Sequence, residues 1–246
     1  MLLVTIAGAE TAPESGSVPQ GNLPQANGPQ ANGPQANGPQ GVEWMPLLQQ
    51  SALFLGIQHG MRVATQQGTR DALKGPYFRD WFTSVGGLGG WDDGDGPLAN
   101  YVGHSLQGAV SGYLWIQNDS FSRRQQFGLT RGYIRSRLRA FAWNTAYSTQ
   151  YEIGPVSDAA IGNVGLRPET KGMVDLVITP TVGTAWLLTE DALDRHFILW
   201  VERRTDNRWV KMMTRSWLNP GRSMANMLRF RVPWHRDTRG GILERP

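Results

Sequence analysis

The sequence predicts a mainly α-helical fold, a membrane-associated helical bundle of about four to six helices with long structured loops and a disordered N-terminal arm. Three observations support this prediction. Several segments carry no charge and place their apolar residues at helical spacing. One of them, residues 97–118, has the length that a bilayer core requires. The chain also contains ten tryptophans, a residue enriched at membrane–water interfaces and in binding surfaces.

The composition excludes several kinds of chemistry. With 246 residues, the chain has room for one core-forming domain beside a segment that cannot fold. It contains no cysteine, so a disulfide framework, a thiolate metal site and a catalytic cysteine are excluded. Lysine and arginine outnumber aspartate and glutamate by 24 to 20, a small excess that weakly favours anionic partners.

The N-terminal region, residues 1–41, is predicted to be a truncated signal-peptide remnant followed by a disordered, low-complexity linker. Its opening "MLLVTIAGAE" is a short apolar run with an Ala-x-Ala-like cleavage site and no preceding basic region. An ordinary disordered terminus is the alternative. The motif "PQANG" then repeats three times in a stretch too polar to offset the entropy of ordering. We therefore expect an exported, membrane-associated protein of the bacterial cell envelope, with a single helical domain over residues 42–246.

The first two predicted helices are separated by a long loop. Residues 44–61 are uncharged and place Leu47, Phe54 and other apolar side chains at roughly helical spacing. Residues 75–96 are rich in aromatic residues, glycine and aspartate, which break the periodicity and predict a structured loop. The second helix is predicted over residues 98–117. Among the uncharged segments, residues 97–118 form the best candidate for a membrane span, because the others are too short.

The remaining helices follow a basic loop. The third is predicted over residues 133–151 and ends before Gly154 and Pro155. The fourth covers residues 175–204 and is interrupted by Pro180. A residue before proline avoids the helical region, so Thr179 is expected either to cap a helix that starts at Pro180 or to mark a kink. The C-terminal stretch is predicted to hold one or two amphipathic helices with interleaved arginine and tryptophan.

One face of the second predicted helix combines a histidine with small residues. The stretch "YVGHSLQGAVSG", residues 101–112, aligns His104, Gly108 and Gly112, because side chains four residues apart share a helix face. Small residues at this spacing let another helix approach closely. Gly108 and Gly112, with Gly183 on the fourth helix, are therefore the predicted helix-packing positions, and His104 is expected to point into a helix–helix contact.

Acidic residues on the other helices are the predicted partners of His104. The third helix ends near Glu152, where the helix dipole disfavours a negative charge by up to about 1 kcal/mol, so a compensating group is expected. The fourth helix contributes Asp175 near its start. An ionisable residue inside a membrane is a candidate functional residue. A supporting structural polar cluster is predicted from Asn100, Gln107, Asn144, Glu190 and Arg195.

The order of these residues resembles an uncharacterised bacterial envelope family and, more distantly, the VanZ-like membrane proteins. The family pattern reads Asn…His-Pro…Gly, then Trp-Glu…Glu, then Asn-Asp-Leu-Ile…Gly-Gly…Gly-Glu. The residues that carry the resemblance are Asn100, His104, Gly108, Glu152, Asp175, Gly183, Glu190 and Arg195. The resemblance covers roughly residues 90–200 and implies a helical, membrane-associated core. The chain departs from the pattern at Ser105, where the family has proline, and at Pro180, which interrupts a usually unbroken segment.

The polar residues support two interpretations of the function. In the favoured one, the protein is a non-enzymatic structural or assembly component of the envelope, and His104, Glu152 and Asp175 hydrogen-bond across helices. In the alternative, it is an enzyme acting on an envelope lipid or glycolipid, with His104 as the catalytic general base and one of the two carboxylates orienting it. A soluble, aromatic-rich binding module is a third interpretation, which cell fractionation distinguishes from both.

No cofactor and no metal are predicted. Although His104, Glu152 and Asp175 offer three ligands for zinc or iron, the other histidines fall in segments without ligand spacing. A hydrogen-bonded cluster is therefore favoured over a metal site. The acidic stretch "WDDGDG", residues 91–96, lacks the glutamate of a calcium loop, so a turn with solvated acids is favoured over a metal site there.

A cluster of arginines lies between the second and third predicted helices. Its position beside candidate membrane helices favours anionic lipid headgroups over nucleic acid as the ligand. The predicted lipid-binding residues are Arg123, Arg124, Arg131 and Arg135. The predicted partners are therefore membrane lipids and other envelope proteins, with no nucleic acid.

Overall fold

The computed structural model describes residues 41–243. The predicted signal remnant and almost all of the predicted linker lie outside the described residues. Within residues 41–243 the chain is mainly helical, as the sequence predicts, and strand-like pairing is limited to an isolated antiparallel bridge between Val42 and Asp119.

Short helices and turns connect four longer helices. The α-helices in chain order are α1 (Trp44–Thr65), α2 (Gln67–Ala72), α3 (Tyr77–Gly87), α4 (His104–Asn118), α5 (Ser120–Arg123), α6 (Arg131–Ile153), α7 (Val174–Leu193), α8 (Leu199–Arg204), α9 (Arg208–Trp217) and α10 (Pro220–Leu228). Two π-helical turns, Ala99–Gly103 and Asp194–Ile198, precede α4 and follow α7. A 3-10 turn covers Pro168–Thr170.

Helix α4 is the centre of the fold. It packs against α1, α6, α7 and α10, and nearly all of its residues are buried. Its Leu114 and Tyr113 belong to a hydrophobic core completed by Leu47 and Phe54 of α1 and Leu187 of α7. The polar residues of α4 are therefore enclosed between helices.

The closest approach of two helices is between α4 and α7. A Cβ atom on Gly108 would lie 2.0 Å from the carbonyl oxygen of Thr179, and one on Gly183 would lie 2.7 Å from the Cα atom of Gly108. One turn further along α4, a Cβ atom on Gly112 would lie 2.7 Å from Leu187 Cδ1. The three glycines thus lie where α4 and α7 touch, and side chains at Gly108 or Gly183 would push the backbones apart.

The prediction of a loop over residues 75–96 is wrong for its first half, where the chain forms α3. Pro76 precedes the helix, and Gly86 lies in its last turn rather than interrupting it. Tertiary contacts also hold α3 in place, since the Trp81 indole donates a hydrogen bond to the carbonyl of Ile153. The glycines that break the sequence periodicity therefore mark the end of a helix.

The expected helix start at Pro180 is also wrong, because α7 begins at Val174 and continues through the proline. Pro180 has no N–H to donate, so its turn of α7 lacks one backbone hydrogen bond. The side-chain amide of Asn144 donates to the carbonyls of Thr179 and Pro180, at 3.1 Å and 3.4 Å. These bonds join α6 to α7 at the proline, but they do not replace the missing bond, whose acceptor is the Leu176 carbonyl four residues before Pro180.

One helical run within the described residues, Pro168–Arg204, is long and apolar enough to cross a membrane, with a mean hydropathy of 1.3 in its best window. That window is 44% buried, and the core helix of a soluble protein meets the same criterion. The prediction that residues 97–118 form the best span is wrong. Helix α4 carries Ser105, Gln107 and Ser111 among its buried residues, and these lower its hydropathy.

Candidate functional site

Three helix ends bring His104, Glu152 and Asp175 together. His104 begins α4, Glu152 lies in the last turn of α6, and Asp175 lies in the first turn of α7. His104 Nε2 is 3.1 Å from Asp175 Oδ2, and His104 Nδ1 is 3.6 Å from Glu152 Oε1. All three side chains are buried. We call these three residues the His104 cluster.

Local sequence explains why each residue faces inward. The π-helical turn before α4 directly precedes His104, and Gly154 and Pro155 follow Ile153, the last residue of α6. Asp175 is favourably placed near a helix N-terminus, whereas Glu152 lies at a C-terminus where the dipole disfavours its charge. Of the groups that could compensate Glu152, an arginine, a histidinium or a proton on the carboxyl itself, the structure places the His104 imidazole beside it.

Further polar groups surround the His104 cluster. Thr179 Oγ1 lies 3.4 Å from His104 Nδ1, and the Tyr151 ring meets the imidazole edge to face at 6.1 Å. The buried Asp93 carboxylate interacts electrostatically with Asp175. Asn100, a predicted cluster residue, donates from Nδ2 to Asp93 Oδ1 at 2.8 Å. Asn100 therefore acts on the cluster through Asp93.

A second group of contacts next to the cluster was not predicted. Arg62 of α1 lies 2.7 Å from Asp158 and donates from Nε to the hydroxyl of Tyr151 at 3.2 Å. His59 stacks on the Tyr151 ring at 5.0 Å, with Nδ1 3.4 Å from Asp158. One feature of the sequence could have pointed to these contacts. Arg62 is the first charged residue after the long uncharged segment of α1.

Burial sets the charge state of the cluster. Burial, together with the charge of Arg62, lowers the pKa of His104 to about 4. Burial also raises the pKa of Glu152 well above its usual value, and the nearby Asp158 and Asp175 carboxylates act in the same direction. At neutral pH the imidazole is therefore neutral, so it does not provide the positive charge that the carboxylates lack.

The other predicted residues are distributed over three places. Asn144 accepts a hydrogen bond from Ser111 and bridges α4, α6 and α7. Gln107 is buried, and its amide nitrogen has no hydrogen-bond acceptor within the part of the chain that the structure describes. Arg195 is exposed and donates to the carbonyl of Phe127. Arg195 therefore does not join the His104 cluster.

Glu190 belongs to a second buried network at the opposite end of α7. It accepts hydrogen bonds from the backbone N–H groups of Gly221 and Arg222 at the start of α10, and from the indole of Trp186. Beside it, Asp191 accepts hydrogen bonds from four side chains. These are the Tyr113 and Tyr133 hydroxyls and the guanidinium groups of Arg137 and Arg222. This network joins α4, α6, α7 and α10.

The predicted lipid-binding arginines differ in their surroundings. Arg124, Arg131 and Arg135 are exposed, and Arg135 lies over the ring of Phe121 at 5.8 Å. Arg123 is half-buried and pairs with Glu43 at 2.7 Å. Three of the four side chains are therefore placed at the surface, where an anionic headgroup could reach them.

Comparisons with protein-family models, curated proteins and solved structures give no match. The resemblance to an envelope family thus stays a prediction from the sequence pattern.

Proposed function

We propose that the protein is a non-enzymatic structural or assembly component of a cell envelope, a membrane-associated helical bundle whose helix arrangement the His104 cluster fixes. One observation carries the proposal. His104 contacts carboxylates from two other helices in the buried interior, while the outer faces of the surrounding helices are apolar. Polar groups turned inward and apolar groups turned outward are expected for helices in an apolar medium.

The outer faces support association with a membrane. The exposed side of α1 carries Met45, Leu48, Leu53, Ile57 and Met61, and that of α6 carries Ile134, Leu138 and Phe141. Exposed apolar surface of this extent indicates an interaction partner rather than water.

Threonines on the outer faces of α6 and α7 form hydrogen bonds from their hydroxyl groups to backbone carbonyls of the same helix. Thr145 donates to the carbonyl of Phe141, Thr181 to that of Val177, and Thr189 to that of Ala185, each four residues back along the helix. Such bonds remove the need for water at these positions. The threonines are therefore compatible with an apolar surrounding.

The cluster is suited to a structural role because both imidazole nitrogens are occupied. Nδ1 faces Glu152 and Thr179, and Nε2 faces Asp175. A general base needs a nitrogen within hydrogen-bond reach of its substrate. A nearby cavity of about 280 Å³ is lined by residues such as Arg62 and Asp93 and not by His104. This arrangement favours a structural role over the alternative of a lipid-modifying enzyme.

The substitution His104→Ala tests the structural proposal. We expect it to lower the midpoint of thermal unfolding in detergent, because it removes the polar partner of two buried carboxyl groups at a cost of about 1–3 kcal/mol. Circular dichroism during heating measures the effect. His196→Ala, at an exposed histidine, is the control and should leave the midpoint unchanged.

Two outcomes would contradict the proposal. Equal unfolding midpoints for His104→Ala and the native chain would show that the cluster does not hold the helices together. A lipid profile that changes on deletion, and that the native chain but not a folded His104→Ala variant restores, would favour the enzyme.

A further inference from the structure

The His104 cluster contains buried oxygen atoms that hydrogen bonding within the chain does not satisfy. Glu152 Oε1 and Asp175 Oδ1 have no hydrogen-bond donor among the described residues. Glu152 is 3% exposed and Asp175 is 4% exposed. A buried polar atom without a partner costs about 1–3 kcal/mol, and more when the group is charged. Both carboxylates therefore require a positively charged partner or a proton.

Negative groups outnumber positive ones around the cluster. The buried carboxylates in this region are those of Asp93, Glu152, Asp158 and Asp175. Arg62 is the guanidinium that approaches them, and it contacts Asp158 rather than the His104 cluster. Even if the His104 imidazole carried a proton, two cationic groups would face four carboxylates. The described residues thus leave an excess of buried negative charge.

Asp93 adds a further buried carboxylate that interacts electrostatically with Asp175. Buried carboxylates repel one another unless they share a proton or a cation. A cation at the His104 cluster would relieve this repulsion and would bond to the free oxygen of Glu152.

We propose that His104, Glu152 and Asp175 bind a divalent transition-metal ion, with Zn²⁺ as the best fit to the donors. Each residue offers one ligand atom, and these atoms all lie within 4.8 Å of one another. Metal–ligand bonds of about 2.1 Å place tetrahedral ligand atoms about 3.4 Å apart. His104 Nε2 and Asp175 Oδ2, at 3.1 Å, are already at about that separation. Glu152 Oε1 lies on the other side of the ring, 3.6 Å from Nδ1, so the Glu152 side chain must rotate to join Nε2 and Asp175 around one ion.

The donor types select the class of ion. One imidazole and two carboxylates suit Zn²⁺, Fe²⁺ or Mn²⁺, whereas Ca²⁺ and Mg²⁺ prefer oxygen ligands alone. Asp93 is a further buried carboxylate in this region. It lines a cavity of about 280 Å³ together with Asp95, Arg62 and Arg167.

A bound ion would tie together the start of α4, the end of α6 and the start of α7. The proposed structural function does not depend on it, because protonated carboxylates could also hold the helices in place. The metal inference therefore goes beyond that function and needs an experiment of its own.

The first experiment measures metal in the full-length protein. The chain is purified in detergent without chelator, the affinity tag is removed, and metals are quantified by inductively coupled plasma mass spectrometry. We expect about one divalent transition-metal ion per chain. Glu152→Gln and Asp175→Asn should lose the ion while remaining helical by circular dichroism. His196→Gln, at an exposed histidine, should keep it.

The second experiment uses the native chain alone, so it does not depend on whether the variants fold. The protein is stripped with a chelator, and its unfolding midpoint is measured after addition of Zn²⁺, Mn²⁺ or Fe²⁺. We expect Zn²⁺ at 100 times its dissociation constant to stabilise the fold by about 2.7 kcal/mol. Addition of Co²⁺ as a spectroscopic probe should produce visible absorption bands that Zn²⁺ abolishes.

Several results would overturn the inference. A native chain that is isolated without metal and whose unfolding midpoint does not respond to the three ions has no such site. Equal metal content in folded Glu152→Gln, folded Asp175→Asn and the native chain would place the ion elsewhere. If the metal inference fails but His104→Ala still lowers the unfolding midpoint, the structural function is retained, so the two failures are distinguishable.

Discussion

At the scale of single residues, the contact between Gly108 and Gly183 is the most sensitive point of the fold. The hypothetical Cβ of Gly108 would lie 2.0 Å from a backbone oxygen of α7, which cannot move as a flexible side chain can. We expect Gly108→Ala to destabilise the protein by at least about 1–3 kcal/mol, the usual cost of overpacking. Chemical unfolding monitored by circular dichroism measures this difference.

The matched control for this substitution is Gly56→Ala on the outer face of α1. A Cβ atom there would have no neighbour within 4 Å. Alanine is the better helix former, so the control is expected to be neutral or to stabilise by up to about 1 kcal/mol. Equal stability of the two variants would show that α4 and α7 do not approach each other this closely at Gly108.

Residue spacing explains which members of the candidate site could be predicted. His104, Glu152 and Asp175 lie on long helices, where spacing fixes the face on which each side chain lies. Asp93 and Asp158 lie in irregular segments between helices. Such segments have no repeating pattern from which the direction of a side chain could be predicted. Arg195 does not join the cluster because it lies beyond the far end of α7, about 30 Å along the helix axis from Asp175.

At the scale of elements, helix α9 turns its apolar side away from the bundle. Trp209, Met213 and Trp217 are 73%, 51% and 73% exposed, while Arg215 on the opposite side is buried against Glu202. An amphipathic helix that exposes tryptophan is suited to a membrane interface. We expect the double substitution Trp209→Ser, Trp217→Ser to weaken binding to anionic lipid vesicles by about tenfold or more.

Vesicle flotation measures this binding. Ser216→Ala is the control on the same helix, because it leaves both tryptophans in place and should bind as the native chain does. Retention of full vesicle binding by the double variant would show that α9 is not a contact with the membrane. A native chain that stays in solution in the presence of vesicles would remove support for membrane association altogether.

Periodicity also explains which elements could be predicted. The uncharged segment of α1 and the residues of α6 follow the helical period over long stretches, so their existence follows from the sequence. Helix α3 is short and ends in glycines, and its position depends on contacts with distant residues such as the Ile153 carbonyl. Local pattern cannot reveal an element that tertiary contacts hold in place.

At the scale of the whole molecule, the C-terminal segment is fastened to the end of α7 by buried ion pairs. Arg236 has no exposed side-chain surface and lies 2.9 Å from Asp194, which Arg239 also contacts. Glu202 of α8 pairs with Arg215 and Arg239 and extends the same network. Ion pairs thus bind the chain after α10 to α8, α9 and the π-helical turn, and Asn226 of α10 adds hydrogen bonds to the carbonyls of Pro233 and His235.

This arrangement predicts that the C-terminal segment can be released without unfolding the bundle. Asp194→Asn removes the carboxylate shared by Arg236 and Arg239, and it leaves Arg236 buried without its charged partner. We expect the substitution to lower the free energy of local opening by about 1.4 kcal/mol or more. Trypsin should then cleave after Arg236 or Arg239 at least about tenfold faster than in the native chain. Mass spectrometry of timed digests identifies the cleavage sites.

The control is Asp71→Asn, which removes a carboxylate on α2 that is paired with Lys74 at the exposed surface. It should leave the rate of C-terminal cleavage unchanged, since exposed ion pairs contribute about 1 kcal/mol or less. Equal cleavage rates in Asp194→Asn and the native chain would mean that apolar contacts hold the segment. Faster cleavage throughout the bundle would instead show that Asp194 stabilises the whole fold, and that the segment and the helices unfold as one unit.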